Sequence, residues 1–170
     1  MNTKLVIASL MIGTVGLGAC KPKAPDVLPP EPVETTAAVP EYQQPTGPVL
    51  GTQEHFVNGV NGLNVIFFDT DRYNIDSEDA VALQTQAQYL QRNTGISVTV
   101  EGHADERGTR DYNLALGERR ANSAKNYLVS LGVDASRIRT VSYGKERPVA
   151  LGSNESAWAQ NRRAVTVVIN

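Results

Sequence analysis

Cysteine is almost absent from this chain: one, Cys20, in 170 residues. A single thiol closes no intramolecular disulfide, so the fold must be held by an apolar core. Histidine is nearly as scarce, with His55 and His103 alone. A zinc site takes three or four clustered ligands, and one thiol with two separated imidazoles makes a poor set. Charge of one sign is lacking too: 16 Lys and Arg stand against 18 Asp and Glu, a formal net charge of −2. That balance argues against nucleic acid, whose partners carry a strongly basic face. No apolar run reaches the roughly 20 residues that a transmembrane helix requires.

What the chain does have begins at its start. One basic residue, Lys4, precedes an apolar stretch from Leu5 to Leu17 that closes with Leu17-Gly18-Ala19-Cys20. This is the build of a secretory signal peptide. The tetrapeptide resembles the lipobox of bacterial lipoproteins. The resemblance implies removal of residues 1–19, an S-diacylglycerol and an N-acyl chain on Cys20, and no other cofactor. Several acyl chains would anchor far more firmly than one. Lys21 follows the cysteine where aspartate would be an inner-membrane signal, so by the same resemblance the anchor belongs in the outer membrane, facing the periplasm.

Eight of the nine prolines fall between residues 22 and 48, among Glu, Thr, Ala and Gln. Such composition cannot bury a core and reads as a disordered, partly polyproline-like tether. Extended at about 3.1 Å per residue, some 30 residues would reach on the order of 90 Å. Val57-Asn58-Gly59-Val60-Asn61-Gly62 repeats a short phrase and reads as an entry loop, with His55 a solvated linker residue. The expected organisation is therefore a cleaved leader (1–19), a lipidated tether with its entry loop (20–62) and one folded domain (63–170).

Within that domain, Val65-Ile66-Phe67-Phe68 reads as a buried strand. Asp76 or Ser77 can cap a helix whose stripe is Ala80, Leu83, Ala87 and Leu90, ending at Gly95. Ile96, Val98 and Val100 alternate as a second strand. A second helix runs from Asp111 to Leu131, with Leu114, Ala121, Ala124, Leu128 and Leu131 as its apolar stripe and Gly132 as its C-terminal cap. A strand over Ile138–Tyr143, a short helix over Glu155–Gln160 and a strand over Val165–Ile169 complete the chain. The order β-α-β-α-β-(α)-β predicts an α/β two-layer sandwich: a mixed four-stranded sheet with two main helices on one face.

Two polar segments follow strand ends, where binding residues commonly sit: Asp69-Thr70-Asp71-Arg72-Tyr73 and Glu101-Gly102-His103-Ala104-Asp105-Glu106-Arg107-Gly108. Helical phase separates the two adjacent arginines of the second helix. With Asn113 at zero and a step of about 100° per residue, the apolar stripe centres at about 50°, Arg120 at about 340° and Arg119 at about 240°. Arg120 alone lies against the sheet and reaches back to the loop, where Asp105 is its natural partner. Held at a rim without neutralising each other, the two would recognise a zwitterion, the carboxylate taking an ammonium and the guanidinium a carboxylate. The alternative is a plain structural salt bridge.

Thr99-Val-Glu-Gly-His-Ala-Asp-Glu-Arg-Gly-Thr109 and Tyr112-Asn-Leu-Ala-Leu-Gly-Glu-Arg-Arg-Ala-Asn122 resemble the OmpA-like domain family, and within it the lipoproteins that associate with peptidoglycan. Val141-Ser-Tyr-Gly-Lys-Glu-Arg-Pro148 and Asn161-Arg-Arg-Ala-Val165 extend the match. The resemblance implies an outer-membrane lipoprotein of the Tol-Pal system that holds the peptidoglycan stem peptide non-covalently through diaminopimelate, whose side chain ends in a zwitterion. Asp105 would take its ammonium and Arg120 its carboxylate. Arg107, Ala104, Leu116 and Asp71 would line the pocket and Asn113 would support the loop. Thr70 stands where these proteins usually have an aromatic wall. The periplasmic Tol β-propeller protein is the second implied partner, on an overlapping surface, with a role in cell division.

Three other readings are weaker. His103 with Asp105 and Glu106 could suggest a metal centre or a hydrolase fragment, but no second well-placed histidine and no thiol is at hand. Asp69 and Asp71 as an acid/base pair are better read as loop acceptors. An OmpA-like lipoprotein of another envelope machine, such as a secretion apparatus, fits the Asp-Glu-Arg-Gly loop less well. Trp158 reads as a packing residue of the short helix, and Tyr143 as core or partner surface.

Overall fold

The computed structural model describes residues 47–169; the apolar leader, Cys20 and the proline-rich stretch as far as residue 46 lie outside them. The elements are α1 (Gln53–Gly59), β1 (Val65–Phe67), α2 (Ser77–Arg92), β2 (Ser97–His103), α3 (Arg110–Ser130), a 3-10 turn (Ala135–Arg137), β3 (Ile138–Gly144), α4 (Glu155–Asn161) and β4 (Arg163–Ile169). The strands lie in the order β1-β4-β2-β3. β2 and β3 are parallel and joined through α3, while β4 is antiparallel to both β1 and β2, between which it is inserted. This is the expected α/β two-layer architecture with a mixed four-stranded sheet. One face of the sheet (Ile66, Val98, Val100, Ile138, Ala164, Val168) shares a core with Leu83, Ala87 and Leu90 of α2 and Ala121, Ala124 and Leu128 of α3. No helix among the described residues is long and apolar enough to cross a membrane.

Local chemistry sets the helix ends. The Asp76 carboxylate accepts from the N–H groups of Glu78 (2.9 Å) and Asp79 (2.8 Å) and so starts α2. Gly132, at φ 93°, ends α3: its N–H reaches the Val129 carbonyl at 2.9 Å while Val133 N–H reaches Leu128 at 3.2 Å. Only a residue tolerant of the left-handed region closes a helix this way. β4 begins at Arg163, two residues earlier than its apolar run suggests, because Arg163 pairs with Phe67 of β1 and its buried side chain donates to the Arg147 carbonyl at 3.2 Å.

The expected entry loop is in fact helix α1, and it belongs to the folded unit. Thr52 caps it, and Phe56 and Val60, four apart on one face, are fully buried in the common core. His55 is not a free linker residue: its Nδ1 lies 2.6 Å from the Tyr89 hydroxyl. Gln53 reaches β4 beyond the end of β1, its amide donating to the Thr166 carbonyl (3.2 Å) and its carbonyl accepting from Val168 N–H (2.8 Å). The side-chain amide thereby completes a stretch of strand edge that β1 is too short to cover. The fold starts before residue 63 for this reason.

The buried face of α2 is also wider than the expected stripe. Ala80 is only half-buried, while Ala82, Gln86, Tyr89 and Asp79 are buried with Leu83, Ala87 and Leu90. Asp79 Oδ1 accepts from Phe67 N–H at 3.0 Å, covering the outer edge of β1, and its Oδ2 has no partner among the described residues. Burial pushes its pKa up from 3.8 to about 6 against the pull of the Phe67 N–H, and the charges of Asp76 and Glu78 add to the rise. Between pH 3.8 and about 6 the folded chain keeps a proton that the unfolded chain has lost, so Asp79 makes stability fall as pH rises through that window. Asp79→Asn keeps the acceptor and removes the ionisation. Urea denaturation at pH 7 is expected to show it more stable than wild type by on the order of 2 kcal/mol, with the gap shrinking at pH 4. A gap of equal size at both pH values would refute the assignment.

Candidate functional site

The ends of β1 and β2 open onto the N-terminal half of α3, and the two polar loops meet there. Gly108, at φ 82°, turns the chain into Thr109, whose hydroxyl caps α3 by accepting from Tyr112 N–H at 3.3 Å. Asn113, buried one turn in, donates to the Arg107 carbonyl at 2.7 Å. From β3's end, Lys145 Nζ donates to the carbonyls of Glu106 (3.1 Å) and Gly108 (2.7 Å). The loop from Asp105 to Gly108 is therefore clamped from two sides. Between it and the first loop lies a cavity of about 260 Å³. All eight residues singled out for the pocket line it (Thr70, Asp71, Ala104, Asp105, Arg107, Asn113, Leu116 and Arg120), with Gly108 and Tyr112.

The two arginines of α3 part as their helical phase requires. Arg119 is exposed and faces the Tyr73 ring at 5.9 Å. Arg120 is fully buried, with Nε donating to the Arg72 carbonyl (2.9 Å), Nη1 to the His103 carbonyl (2.8 Å) and Nη2 to the Asp69 carbonyl (3.0 Å). It thus ties both loops to one plane. A guanidinium carries five N–H groups, so each terminal nitrogen keeps one N–H beyond these bonds. Burial, with the like charge of Arg162, brings its pKa down to about 10, which leaves it charged at neutral pH.

Arg120 is not the partner of Asp105. Asp105 Oδ1 accepts from Arg107 N–H (3.0 Å) and Nε (3.0 Å), and Oδ2 accepts from Arg107 Nη2 (2.7 Å) with Arg162 Nη1 at 3.6 Å behind it. Burial raises the Asp105 pKa, but the Arg107 hydrogen bonds and charge outweigh it and hold the carboxyl below its ordinary value. The pairing differs from expectation because Arg107, two residues on in the same turn, folds back before the longer reach from α3 is needed. Thr70 also takes another part than an aromatic wall: its hydroxyl accepts from Arg107 Nη2 at 3.2 Å.

α4 contributes more than packing. Glu155, Trp158 and Arg162 fall on one face at i, i+3 and i+7, and that face meets the loop. The Arg107 guanidinium sits 4.2 Å from the Trp158 ring centre, and the indole N–H donates to Glu106 Oε1 at 3.0 Å. Arg162, buried, donates to the Phe68 carbonyl (2.9 Å) and to Glu155 (2.7 Å). The spacing of these three residues was a signal available from helical phase alone. His103 is buried, neither ring nitrogen is hydrogen-bonded among the described residues, and Glu101 lies 3.7 Å away. Burial and the charges of Arg163 and Arg147 lower its pKa to about 4, so it is neutral at physiological pH. Its contribution to the cavity is its backbone carbonyl. Tyr143 is half-buried, with the Arg147 guanidinium 3.7 Å from its ring centre. Among the described residues no three His, Cys, Asp or Glu come together as a metal site.

The model of the OmpA family matches residues 67–162, a span that contains the whole cavity. The chain belongs to the OmpA family. Among its OmpA-family relatives, the peptidoglycan-associated lipoprotein of Agrobacterium fabrum is 56% identical over 118 residues, covering 69% of this chain and 66% of that protein. The peptidoglycan-associated lipoprotein of Brucella melitensis is 52% identical over 118 residues, 69% of each chain. The chain therefore spans about two thirds of the length of these curated relatives. The crystal structure of the peptidoglycan-associated lipoprotein from Burkholderia pseudomallei, 42% identical, superposes with a TM-score of 0.63 over 67% of this chain and 99% of that one. The same OmpA-family fold recurs in the C-terminal domain of Helicobacter pylori MotB at 18% identity and a TM-score of 0.58.

Proposed function

We propose that this protein is an outer-membrane lipoprotein that grips the cell wall, binding the free amino-acid end of diaminopimelate in peptidoglycan stem peptides. The observation that carries the reading is the cavity itself. A buried guanidinium, Arg120, and a carboxylate, Asp105, share it without pairing to each other. Fixed opposite charges with separate supports present one end to a carboxylate and the other to an ammonium. The names of the relatives support peptidoglycan as the source of that zwitterion. The role is binding and not turnover: Arg120 and Asp105 act by charge and position, and sacculi incubated with the protein should release no muropeptides. Lipid on Cys20 would supply the second attachment, and the periplasmic Tol β-propeller protein a competing partner.

Pull-down with purified sacculi tests the reading. Asp105→Asn keeps the side chain's shape and loses its charge; its bound fraction should fall at least tenfold, and Arg119→Ala should bind as wild type does. Retained binding in Asp105→Asn, or equal loss in Arg119→Ala, would overturn the site assignment.

A further inference from the structure

On the side that faces the cavity, Asp105 is occupied by Arg107. Oδ1 already accepts two N–H groups of Arg107, and Oδ2 lies between Arg107 Nη2 and Arg162 Nη1. Both lone pairs of Oδ1 are used, and the second lone pair of Oδ2 is the one beside Arg162, which does not line the cavity, so an ammonium arriving from the cavity meets the position that Arg107 holds. Arg162 is buried and fixed by Phe68 and Glu155, and the Arg107 N–H is part of the clamped turn. The Arg107 side chain is the exception, 39% exposed and reaching outward across the cavity.

Where it can go is equally defined. Its Nη2 already touches Thr70 Oγ1, and the next residue is Asp71. The Asp71 carboxylate is exposed and accepts a single bond among the described residues, from the Tyr112 hydroxyl at 3.1 Å. Its charge already acts on Arg107, which the Asp105 hydrogen bond and charge keep more basic than usual, with smaller contributions from Glu155 and Asp71. Asp71 also holds φ at 56°, a left-handed conformation that Asp and Asn tolerate better than other side chains.

We propose that Arg107 is a latch with two seats: Asp105, where the structure holds it, and Asp71, to which it passes when a ligand ammonium takes Asp105. The exchange leaves no charge without a partner. Asp105 trades a guanidinium for an ammonium and keeps Arg162 behind it, while Arg107 trades one carboxylate for another. Asp71 therefore acts on binding through Arg107 and not by touching the ligand, which makes it a positioning residue.

The latch rests on the zwitterion reading above, and a double-mutant cycle separates the two. Calorimetric titration with the tripeptide L-Ala-γ-D-Glu-meso-diaminopimelate is made on wild type, Asp71→Asn, Arg107→Ala and the double variant. Asn keeps both the left-handed backbone and an acceptor for Tyr112. Asp71→Asn should bind about tenfold more weakly, because Arg107 has no second seat, and Arg107→Ala several-fold more tightly, because no internal competitor remains. In the Arg107→Ala background the substitution at 71 should change affinity less than twofold. Emission of Trp158, the chain's one tryptophan and the platform under Arg107, should shift on titration of wild type and much less in Arg107→Ala. Equal weakening by Asp71→Asn in both backgrounds, or weaker binding by Arg107→Ala, overturns the latch while leaving the zwitterion site in place. No binding by wild type, or undiminished binding by Asp105→Asn, removes the site reading and the latch with it.

Discussion

Arg120→Ala is expected to lose wall binding and about 3–5 kcal/mol of stability at once. Sequence reasoning alone treats Arg120 as a ligand contact that can be removed without harm to the fold. The structure changes that expectation. Its guanidinium is the shared donor for the carbonyls of Asp69, Arg72 and His103, which belong to two different loops. Truncation leaves three carbonyls short of a donor, that of His103 buried and those of Asp69 and Arg72 partly so, and a cavity the size of the side chain, next to the like-charged pair Asp71 and Asp105. Hydrogen bonds from charged donors are each worth about 1.5–3 kcal/mol, part of which is offset by no longer burying the charge. Arg120→Lys should recover little, since one ammonium cannot span three carbonyls arranged around a planar fork. The exposed neighbour sets the contrast: Arg119→Ala should stay within about 0.5 kcal/mol of wild type. Guanidinium chloride denaturation measures all three. A wild-type midpoint in Arg120→Ala would show that the carbonyl cradle contributes nothing to the fold. Lost binding in that variant is correspondingly ambiguous, and Asp105→Asn is the cleaner probe of the ligand.

The second large effect lies where α3 meets the sheet. A Cβ on Gly102 of β2 would land on the carbonyl oxygen of Gly117, and a Cβ on Gly117 would land on Ser142 Oγ and lie 2.8 Å from the Gly102 oxygen. Helix and strand backbones touch here with no side chain between them, and Ser142 fastens the contact by donating to the Leu114 carbonyl at 2.7 Å. Backbone has nowhere to move without lifting α3, and α3 carries Asn113, Leu116 and Arg120. Gly102→Ala is therefore expected to cost more than about 4 kcal/mol, enough to leave a domain of ordinary stability largely unfolded at 37 °C. Gly95→Ala is the control, because a Cβ there meets nothing within 4 Å and its φ is not positive; it should be neutral or slightly stabilising. Circular dichroism melting compares the two. A Gly102→Ala protein melting within two degrees or so of wild type would mean that the helix rides freely on the sheet.

Much of this is legible in the sequence, for definable reasons. α2 and α3 are long enough to show a full apolar stripe and end in recognisable caps, Asp76 and Gly132. The parting of Arg119 from Arg120 follows from about 100° of rotation per residue and needs no tertiary information. α1 was not legible because its seven residues hold one buried anchor, Phe56, with Val60 following as the cap, and its Asn-Gly pair mimics a turn. The pairing of Asp105 with Arg107 belongs to loop geometry, where no period constrains which neighbour folds back. The insertion of β4 between β1 and β2 is a matter of topology, and it is what delivers α4, with Trp158 and Arg162, to the cavity. The face that these two residues form with Glu155 follows from helical phase over 155–162, as the parting of the two arginines does on α3.

Helix α1 also fixes how the domain meets mechanical load. If membrane and wall are held at opposite ends of this chain, tension on the N-terminal side enters the fold at Thr52 and Gln53. The first links to bear it are the two Gln53 bonds to Thr166 and Val168 and the seating of Phe56 and Val60. Those bonds lead straight into β4, an inner strand flanked by β1 and β2. Force is thus delivered to the middle of the sheet rather than peeled along an edge. Release of this short helix would lengthen the path between the two attachments while the cavity, built from the opposite end of the strands, keeps its shape.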